Sequence, residues 1–448
     1  MKQDKALELL KSGRNIFLTG SAGTGKTYVL NKFIQHLKDA KIEVAITAST
    51  GIAATHIKGM TIHSWTGMGI KQTMGGKEID TIKRNKRLKD QLNKAKVLII
   101  DEISMLHQDQ LNTIHDVLSY VRDDSRAFGG IQVVLCGDFF QLPPIDKFNR
   151  ESKDKFAFMS SAWVFAGFNV CYLTEQYRQS NNELTGILDE IRADSVSQKS
   201  IDLLKSVNNT TFKSGIEPTK LYTHNLDVDK INNLELAKLE GKSRFFKAKT
   251  SGDKKVLTVL EKQVLTPKEM QLKIGAKVMF IKNNPEKEFI NGTLGEVIKY
   301  SKLGFPIVKT LDNIEITAST EEWTVDNEVG TIIASFKQIP LRLAWAITIH
   351  KSQGMTLDAA ELDLSKTFEK GQGYVALSRL KDINRLRLIG FNQTALEVDR
   401  LALRADKRFQ ELSIQLDKDT TTKELNEEKK TYIKSVGGRN LTKVKKEA

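Results

Sequence analysis

The chain has 448 residues, enough for roughly two to four domains, and its 69 Lys+Arg against 55 Asp+Glu leave a formal charge of +14. That surplus suits a polyanionic partner, or equally a soluble protein that simply runs basic. Two cysteines, Cys136 and Cys171, both inside apolar runs, exclude a zinc cluster or disulfide framework. No apolar run spans a membrane and no signal-peptide core follows Met1, so the expectation is a cytoplasmic protein with no membrane partner.

In chain order, Asp4 to Lys11 reads as a short helix, with Gln3 either touching an adenine edge or standing as an exposed terminal glutamine. Asn15-Ile16-Phe17-Leu18-Thr19 is a buried strand. Gly20-Ser21-Ala22-Gly23-Thr24-Gly25-Lys26-Thr27 follows, fits G-x-x-x-x-G-K-[ST], and leads into the helical spacing of Tyr28 to Leu37. Strand, glycine turn and helix make a phosphate cradle. Gly20, Gly23 and Gly25 let the backbone bend around the anion, Thr24 lies within the turn, and the helix N-terminus adds partial positive charge. Lys26 would neutralise β- and γ-phosphates, and the Thr27 hydroxyl would join a Mg²⁺ shell. ATP with Mg²⁺ is therefore the expected cofactor pair.

Val44-Ala45-Ile46-Thr47 is the next strand, running into the small-residue turn Ala48 to Ala54. His63 and Trp65 either offer stacking faces to bases or sit in an ordinary core. Residues 66 to 96 loosen at several glycines and then crowd Lys83, Arg84, Lys86, Arg87, Lys89, Lys94 and Lys96 onto a helical stretch. This predicts a small insertion with a basic face, or a merely solvated charged helix. Val97-Leu98-Ile99-Ile100-Asp101-Glu102 is an apolar strand that delivers two carboxylates. Asp101 would hold the metal through its water shell, and Glu102 would orient or deprotonate the attacking water.

Ile131 to Cys136 is another central strand, ending in Gly137-Asp138-Phe139-Phe140-Gln141-Leu142-Pro143-Pro144, where Gln141 would sense the γ-phosphate and line up water. Val170 to Leu173 leads into Thr174 to Gln179, with Arg178 a candidate arginine finger. Asn182 to Ile191 is helical, and Lys220 to Thr223 opens a second α/β unit with a helix from about Leu226 to Leu239. Between about Gly241 and Lys337 short alternating runs broken by glycine, with a turn at Asn291-Gly292, predict an inserted β-barrel. The second unit resumes at Leu343 to Asp358, and a helix over Tyr374 to Arg379 would carry Arg379 to the nucleotide. A last helix covers about Ala395 to Leu412, and the charged residues from Lys418 on predict a solvated tail.

Taken together, Gly20–Thr27, Thr47–Trp65, Ile99–Leu106, Leu135–Pro144, Leu173–Gln179, Ala344–Asp358 and Gly373–Arg379 resemble the Pif1 branch of superfamily 1 DNA helicases, a minimal bacterial or phage type. The resemblance implies an α/β fold of two RecA-like domains, parallel sheets flanked by helices, with ATP hydrolysed between them. The implied limits are 1–65 with 97–175 for the first domain and 176–240 with 338–412 for the second. A wedge insertion takes 66–96, an SH3-like β insertion takes 241–337, and 413–448 is a charged tail. Lys26, Thr27, Asp101, Glu102, Gln141, Arg178 and Arg379 match the family's ATPase set, with Gln3 at the adenine. Thr50, His63, Thr348, His350 and Lys351 match motifs that touch the DNA strand. The implied activity is ATP-driven movement on single-stranded DNA and 5′-to-3′ unwinding at single-strand/duplex junctions, by a monomer on DNA. The same resemblance allows a translocase that strips proteins and unwinds weakly, or a RecD- or Dda-like relative; a nucleotide-gated binding module would not need the full hydrolytic set. In one place the chain departs: the family's signature here ends in Arg-x-Gly, and this chain has Arg192-Ala193-Asp194.

Overall fold

The computed structural model describes residues 1–57, 59–69, 71–144, 150–177, 182–211, 218–264, 266–282, 284, 289, 293–310, 313–326, 332–354, 356–357 and 359–439. The chain divides into two compact units, 1–211 with 356–358 and 364–448, and 212–355 with 359–363.

In the first unit, strands β1 (Ile16–Gly20), β2 (Val44–Ala48), β3 (Met60–Thr61), β4 (Val97–Asp101), β5 (Gln132–Cys136) and β6 (Asn169–Leu173) form one sheet in the order β3-β2-β4-β5-β1-β6. Every pairing is parallel. Alternate residues feed two cores. Ile16, Leu18, Val97, Ile99, Val134 and Cys136 meet helices α1 (Gln3–Lys11) and α2 (Lys26–Asp39) through Leu9, Leu10, Leu30 and Phe33. Phe17, Leu98, Ile100, Val133 and Leu135 meet the helix Gln108–Arg122 through Leu111, Ile114 and Leu118. A parallel sheet covered on both faces reads as continuous apolar strands, and its C-terminal edge is what remains for polar chemistry. Cys136 and Cys171 are free and buried, as their apolar surroundings predict.

The basic stretch is two helices, Gly76–Arg84 and Lys86–Lys94, joined at Asn85, whose side chain caps the second by accepting from the Leu88 amide (3.1 Å). Ile79, Ile82 and Leu92 bury one face, while Arg84, Lys86, Arg87, Lys89 and Lys94 are exposed on the other. Trp65 is 4% exposed and belongs to the same core, so the ordinary-core reading holds for it and not the stacking one.

The solvated tail expected from Lys418 is corrected over most of its length. The helix Arg400–Asp419 continues past that point, and a further helix, Thr422–Ser435, buries Leu425 and Ile433 against the α1/α2 core. Arg14 bridges Glu424 and Glu428 of that helix at 3.0 and 2.6 Å. Two buried apolar residues and a charge clamp dock the helix, too sparse a signature for a hydropathy reading to register. Residues 440–448 lie outside the described residues.

In the second unit, Thr219–Tyr222 lies between Ala346–Thr348 and Ala360–Leu364, paired parallel to both. The helix Asn225–Lys238 is tied to this sheet by Asn232, whose amide donates to the Ala346 carbonyl and accepts its N–H (3.0 and 2.9 Å). The stretch read as a β insertion contributes four strands of a five-stranded antiparallel sheet, Glu315–Thr317, Pro306–Thr310, Leu294–Tyr300 and Lys277–Phe280, completed by Leu341–Leu343, over a core that includes Val278, Phe280, Val297 and Val308. Asn291-Gly292 lies outside the described residues. Among the described residues no helix is long and apolar enough to cross a membrane.

Candidate active site

The order β4-β5-β1 places three loops side by side at the C-terminal edge. β1 ends in the glycine turn, β4 in Asp101-Glu102 and β5 in Gly137-Asp138. The residues named from sequence as phosphate cradle, carboxylate pair and γ-phosphate sensor are thus delivered by neighbouring strands.

The cradle is preformed. Lys26 donates to the Gly20 and Ser21 carbonyls at 2.8 and 3.0 Å, folding its ammonium back over the turn where phosphate oxygens would sit. Burial pushes this lysine below its ordinary value against the opposing pull of the Asp138 carboxylate. Gly25 has φ +81° and caps α2, and a side chain there would also run into the Gln3 amide. Gln3 itself donates to the Thr24 carbonyl at 3.0 Å, and the Thr24 hydroxyl to that of Ser21 at 2.9 Å. Gln3 is therefore held on the loop and is not a dangling terminal glutamine. Thr27 is exposed on the first turn of α2.

Asp101 is 7% exposed and accepts from the Glu102 amide at 2.9 Å. Burial raises its carboxyl above the ordinary value, opposed by hydrogen bonds from the Cys136 thiol and the Glu102 amide and by the Lys26 charge. Glu102 stands at φ +52°, a costly conformation for a non-glycine residue, with its carbonyl taken by the Ser49 hydroxyl (2.7 Å). Gln141 is 6% exposed, and among the described residues its side-chain oxygen has no hydrogen-bond partner. An orphaned buried acceptor is what a positioned water would satisfy.

The donor set fits Mg²⁺. Among the described residues no group of three or more His, Cys, Asp or Glu could cage a metal. A hard cation held by one hydroxyl, one carboxylate, waters and substrate phosphates needs no such cage, and Thr27 and Asp101 supply those two ligand types.

Arg178 lies outside the described residues. The chain just before it is anchored on the loop: the Gln176 side-chain amide donates to the Ser21 hydroxyl (2.7 Å) and the Tyr177 backbone amide to the Gly23 carbonyl (3.0 Å). Arg379 follows the helix Gln372–Leu377, is 2% exposed, and donates to the Val375 carbonyl (2.9 Å) and the Ser378 hydroxyl (2.8 Å). Of the nucleic-acid candidates in the first unit, Thr50 accepts from the Ala53 amide (3.2 Å) and His63 pairs through Nε2 with the Gln110 amide (2.8 Å). In the second unit, Thr348 is buried and precedes the short helix Ile349–Ser352, which carries His350 and Lys351. Burial lowers the His350 imidazole, and burial with the nearby Arg342 guanidinium brings Lys351 down to about 8.

Three residues near the loop were not singled out from sequence: Asp138, Arg192 and Tyr374. Arg192 Nη1 donates to both Asp138 oxygens at 2.9 Å and to the Tyr374 hydroxyl at 3.0 Å. Its Nη2 donates to Tyr172 (2.8 Å) and Asp406 (3.1 Å). The spacing gave one usable signal, since Asp138 stands in the same strand-end loop as Gln141 and a buried carboxylate there demands a partner.

A parallel sheet covered on both faces, with a phosphate loop, paired carboxylates and a glutamine on adjacent strand ends, defines a P-loop ATPase of RecA-like fold. The family model for PIF1-like helicase matches residues 2–214, and that for the DNA helicase Pif1 2B domain matches 255–300. The ATP-dependent DNA helicase Pif1 of Psychrobacter sp. (strain PRwf-1) is 46% identical over 500 residues, covering 98% of this chain and 75% of its own. The crystal structure of Pif1 helicase from Candida albicans aligns with a TM-score of 0.85 at 36% identity, over 91% of this chain and 98% of that one. That of Pif1 helicase from Bacteroides in complex with ADP-AlF3 and ssDNA aligns with a TM-score of 0.75 at 31% identity, over 91% and 96%. The chain belongs to the Pif1 family of ATP-dependent DNA helicases.

Proposed function

We propose that this helicase moves 5′ to 3′ along single-stranded DNA and opens duplex at single-strand/duplex junctions, working as a monomer on the strand. The observation that carries the reading is the side-by-side delivery of Lys26, Asp101-Glu102 and Gln141 by adjacent strand ends of a chain that shares the fold of a relative bound to ADP-AlF3 and ssDNA. In this reading Lys26 leaves the Gly20 and Ser21 carbonyls for the β- and γ-phosphates, and the amides of Gly23, Gly25, Lys26 and Thr27 face the same oxygens. Gln141 accepts a hydrogen bond from the attacking water, Glu102 orients or deprotonates that water, and Arg178 and Arg379 answer the charge that develops on the phosphoryl group. Thr27 and Asp101 hold Mg²⁺, which when bound neutralises charge on the phosphates. Thr50, His63, Thr348, His350 and Lys351 meet the DNA strand.

The test is strand displacement on duplexes bearing a 5′ or a 3′ single-stranded tail, with and without ATP. Displacement of the 5′-tailed substrate alone, and only with ATP, is expected. Equal displacement of the 3′-tailed substrate sinks the polarity. Rapid ATP turnover on single strands with neither duplex opened makes the protein a translocase.

A further inference from the structure

The helix Gln372–Leu377 and the phosphate loop belong to the same compact unit. At the start of this helix, Gly371 sits at φ +87° so close to the Phe140 and Gln141 carbonyls that a Cβ would stand 2.7 and 2.8 Å from their oxygens. One turn on, Tyr374 is 1% exposed, and its hydroxyl meets three partners. It accepts from the Ala22 amide (3.0 Å) and from Arg192 Nη1 (3.0 Å), and it donates to Asp138 Oδ2 (3.1 Å).

A phenolic hydroxyl ordinarily rotates to suit its surroundings. Here Asp138 takes the proton and Arg192 fills one acceptor direction, so the remaining one is aimed at Ala22. Burial pushes the Asp138 carboxyl up, but Arg192 and Lys26 outweigh it, so the group stays an ionised acceptor. Burial also raises the Tyr374 phenol, which keeps its proton to give. Ala22 is the third residue of the glycine turn. Among the described residues no hydrogen bond takes the amides of Gly23, Gly25, Lys26 or Thr27, the groups an anion would use. Fixing Ala22 to one side sets the curvature of the turn that presents those amides. A single helix thus abuts the Gln141 backbone, holds the loop through Tyr374, and leads directly to Arg379.

We propose that Tyr374 is a positioning residue for the phosphate loop: its hydroxyl, oriented by Arg192 and Asp138, holds the Ala22 amide and so shapes the loop for the triphosphate. The proposal rests on the reading of Gly20–Thr27 as the nucleotide site. Two hydroxyls of the same buried network provide the test. Tyr374→Phe removes the one on the loop. Tyr172→Phe removes the one that faces Asp406, where it donates at 3.2 Å. Both variants should lower the melting temperature. Only Tyr374→Phe should weaken binding of a fluorescent, non-hydrolysable ATP analogue, by about tenfold as one oriented hydrogen bond allows, with the KM for ATP rising in step and kcat falling less. If Tyr374→Phe does not fold, Ala22→Pro, at a position of negative φ, deletes the same hydrogen bond from the loop side and should show the same loss. Wild-type analogue affinity in the loop-side variant, or an equal loss in Tyr172→Phe, overturns the proposal. Failure of the unaltered protein to bind the analogue would instead unseat the nucleotide site.

Discussion

Arg192 faces Asp138 with one nitrogen donating to both carboxylate oxygens at 2.9 Å, and the two side chains are only 8% and 1% exposed. Removing one partner of such a pair leaves the other charged, buried and unpaired, which costs about 3–5 kcal/mol. Arg192→Met and Asp138→Asn are both expected to lose stability on that scale in denaturant melts. The net shift of Asp138 is downward from 3.8, so its contribution is fully present above that pH and is lost as pH falls through the lower folded value. The acid limb of the wild-type stability curve should therefore be steeper than that of Asp138→Asn. Parallel acid limbs would contradict the assignment.

The catalytic assignments separate in a pair of variants. Lys26→Ala removes the ammonium that the cradle carbonyls hold at 2.8 and 3.0 Å, and should abolish both tight nucleotide binding and turnover. Glu102→Gln keeps the volume and the strained backbone at φ +52° but removes the base. It should bind nucleotide normally and lose about 10²–10⁴ in ATP turnover, read by phosphate release with and without oligonucleotide. Normal DNA-stimulated turnover in Glu102→Gln would remove that residue from the chemistry.

What was legible in the sequence was local. The turn Gly20–Thr27 and the pair Asp101-Glu102 are contiguous, and each follows a strand whose apolar run declares it, so loop and strand end could be placed without knowing the strand order. The contacts that brace the site were not legible, because they join distant parts of the chain: Tyr374 reaches Ala22 across 352 residues, and Arg192 reaches Asp138 across 54. Periodicity reports which face of an element is buried, not which polar group waits opposite it. The helix Thr422–Ser435 was missed for a related reason. Its docking depends on Leu425, Ile433 and the Arg14 clamp, a pattern that a charge-rich stretch conceals.

Lys351 offers a pH-dependent test of the nucleic-acid surface. Burial, with Arg342 adding to it and Asp229 opposing, brings its ammonium down to about 8. The charge is present below that pH and is lost as pH rises through it, while the lowered His350 stays neutral throughout. If Lys351 meets phosphates, single-stranded DNA affinity should fall several-fold between about pH 7 and pH 9. Lys351→Arg, charged across that range, should flatten the profile in fluorescence anisotropy titrations. An unchanged slope would take Lys351 out of the contact set.

The departure at Arg192-Ala193-Asp194 is resolved at the backbone. The helix Asn182–Arg192 ends with the Ser195 amide donating to the Glu190 carbonyl (3.0 Å) and the Asp194 amide to that of Ile191 (3.1 Å), the Schellman pattern that wants a left-handed residue at its turn. Asp194 fills that place at φ +53°. Aspartate tolerates this region better than most residues, yet its Cβ still meets the following carbonyl, and its charge sits at the negative end of the helix dipole. The turn must hold, because Arg192, at the end of the helix just before it, reaches back into the buried network. Asp194→Gly removes both penalties against the extra chain entropy of glycine, a net gain of about 0.5–1 kcal/mol. Asp194→Asn removes only the charge and should gain less, while Asp194→Ala, stripped of the local polar compensation, should gain least or lose. Thermal melts of the three variants would rank them Gly, Asn, Ala; a glycine variant no more stable than the alanine one would show that this turn carries no left-handed strain.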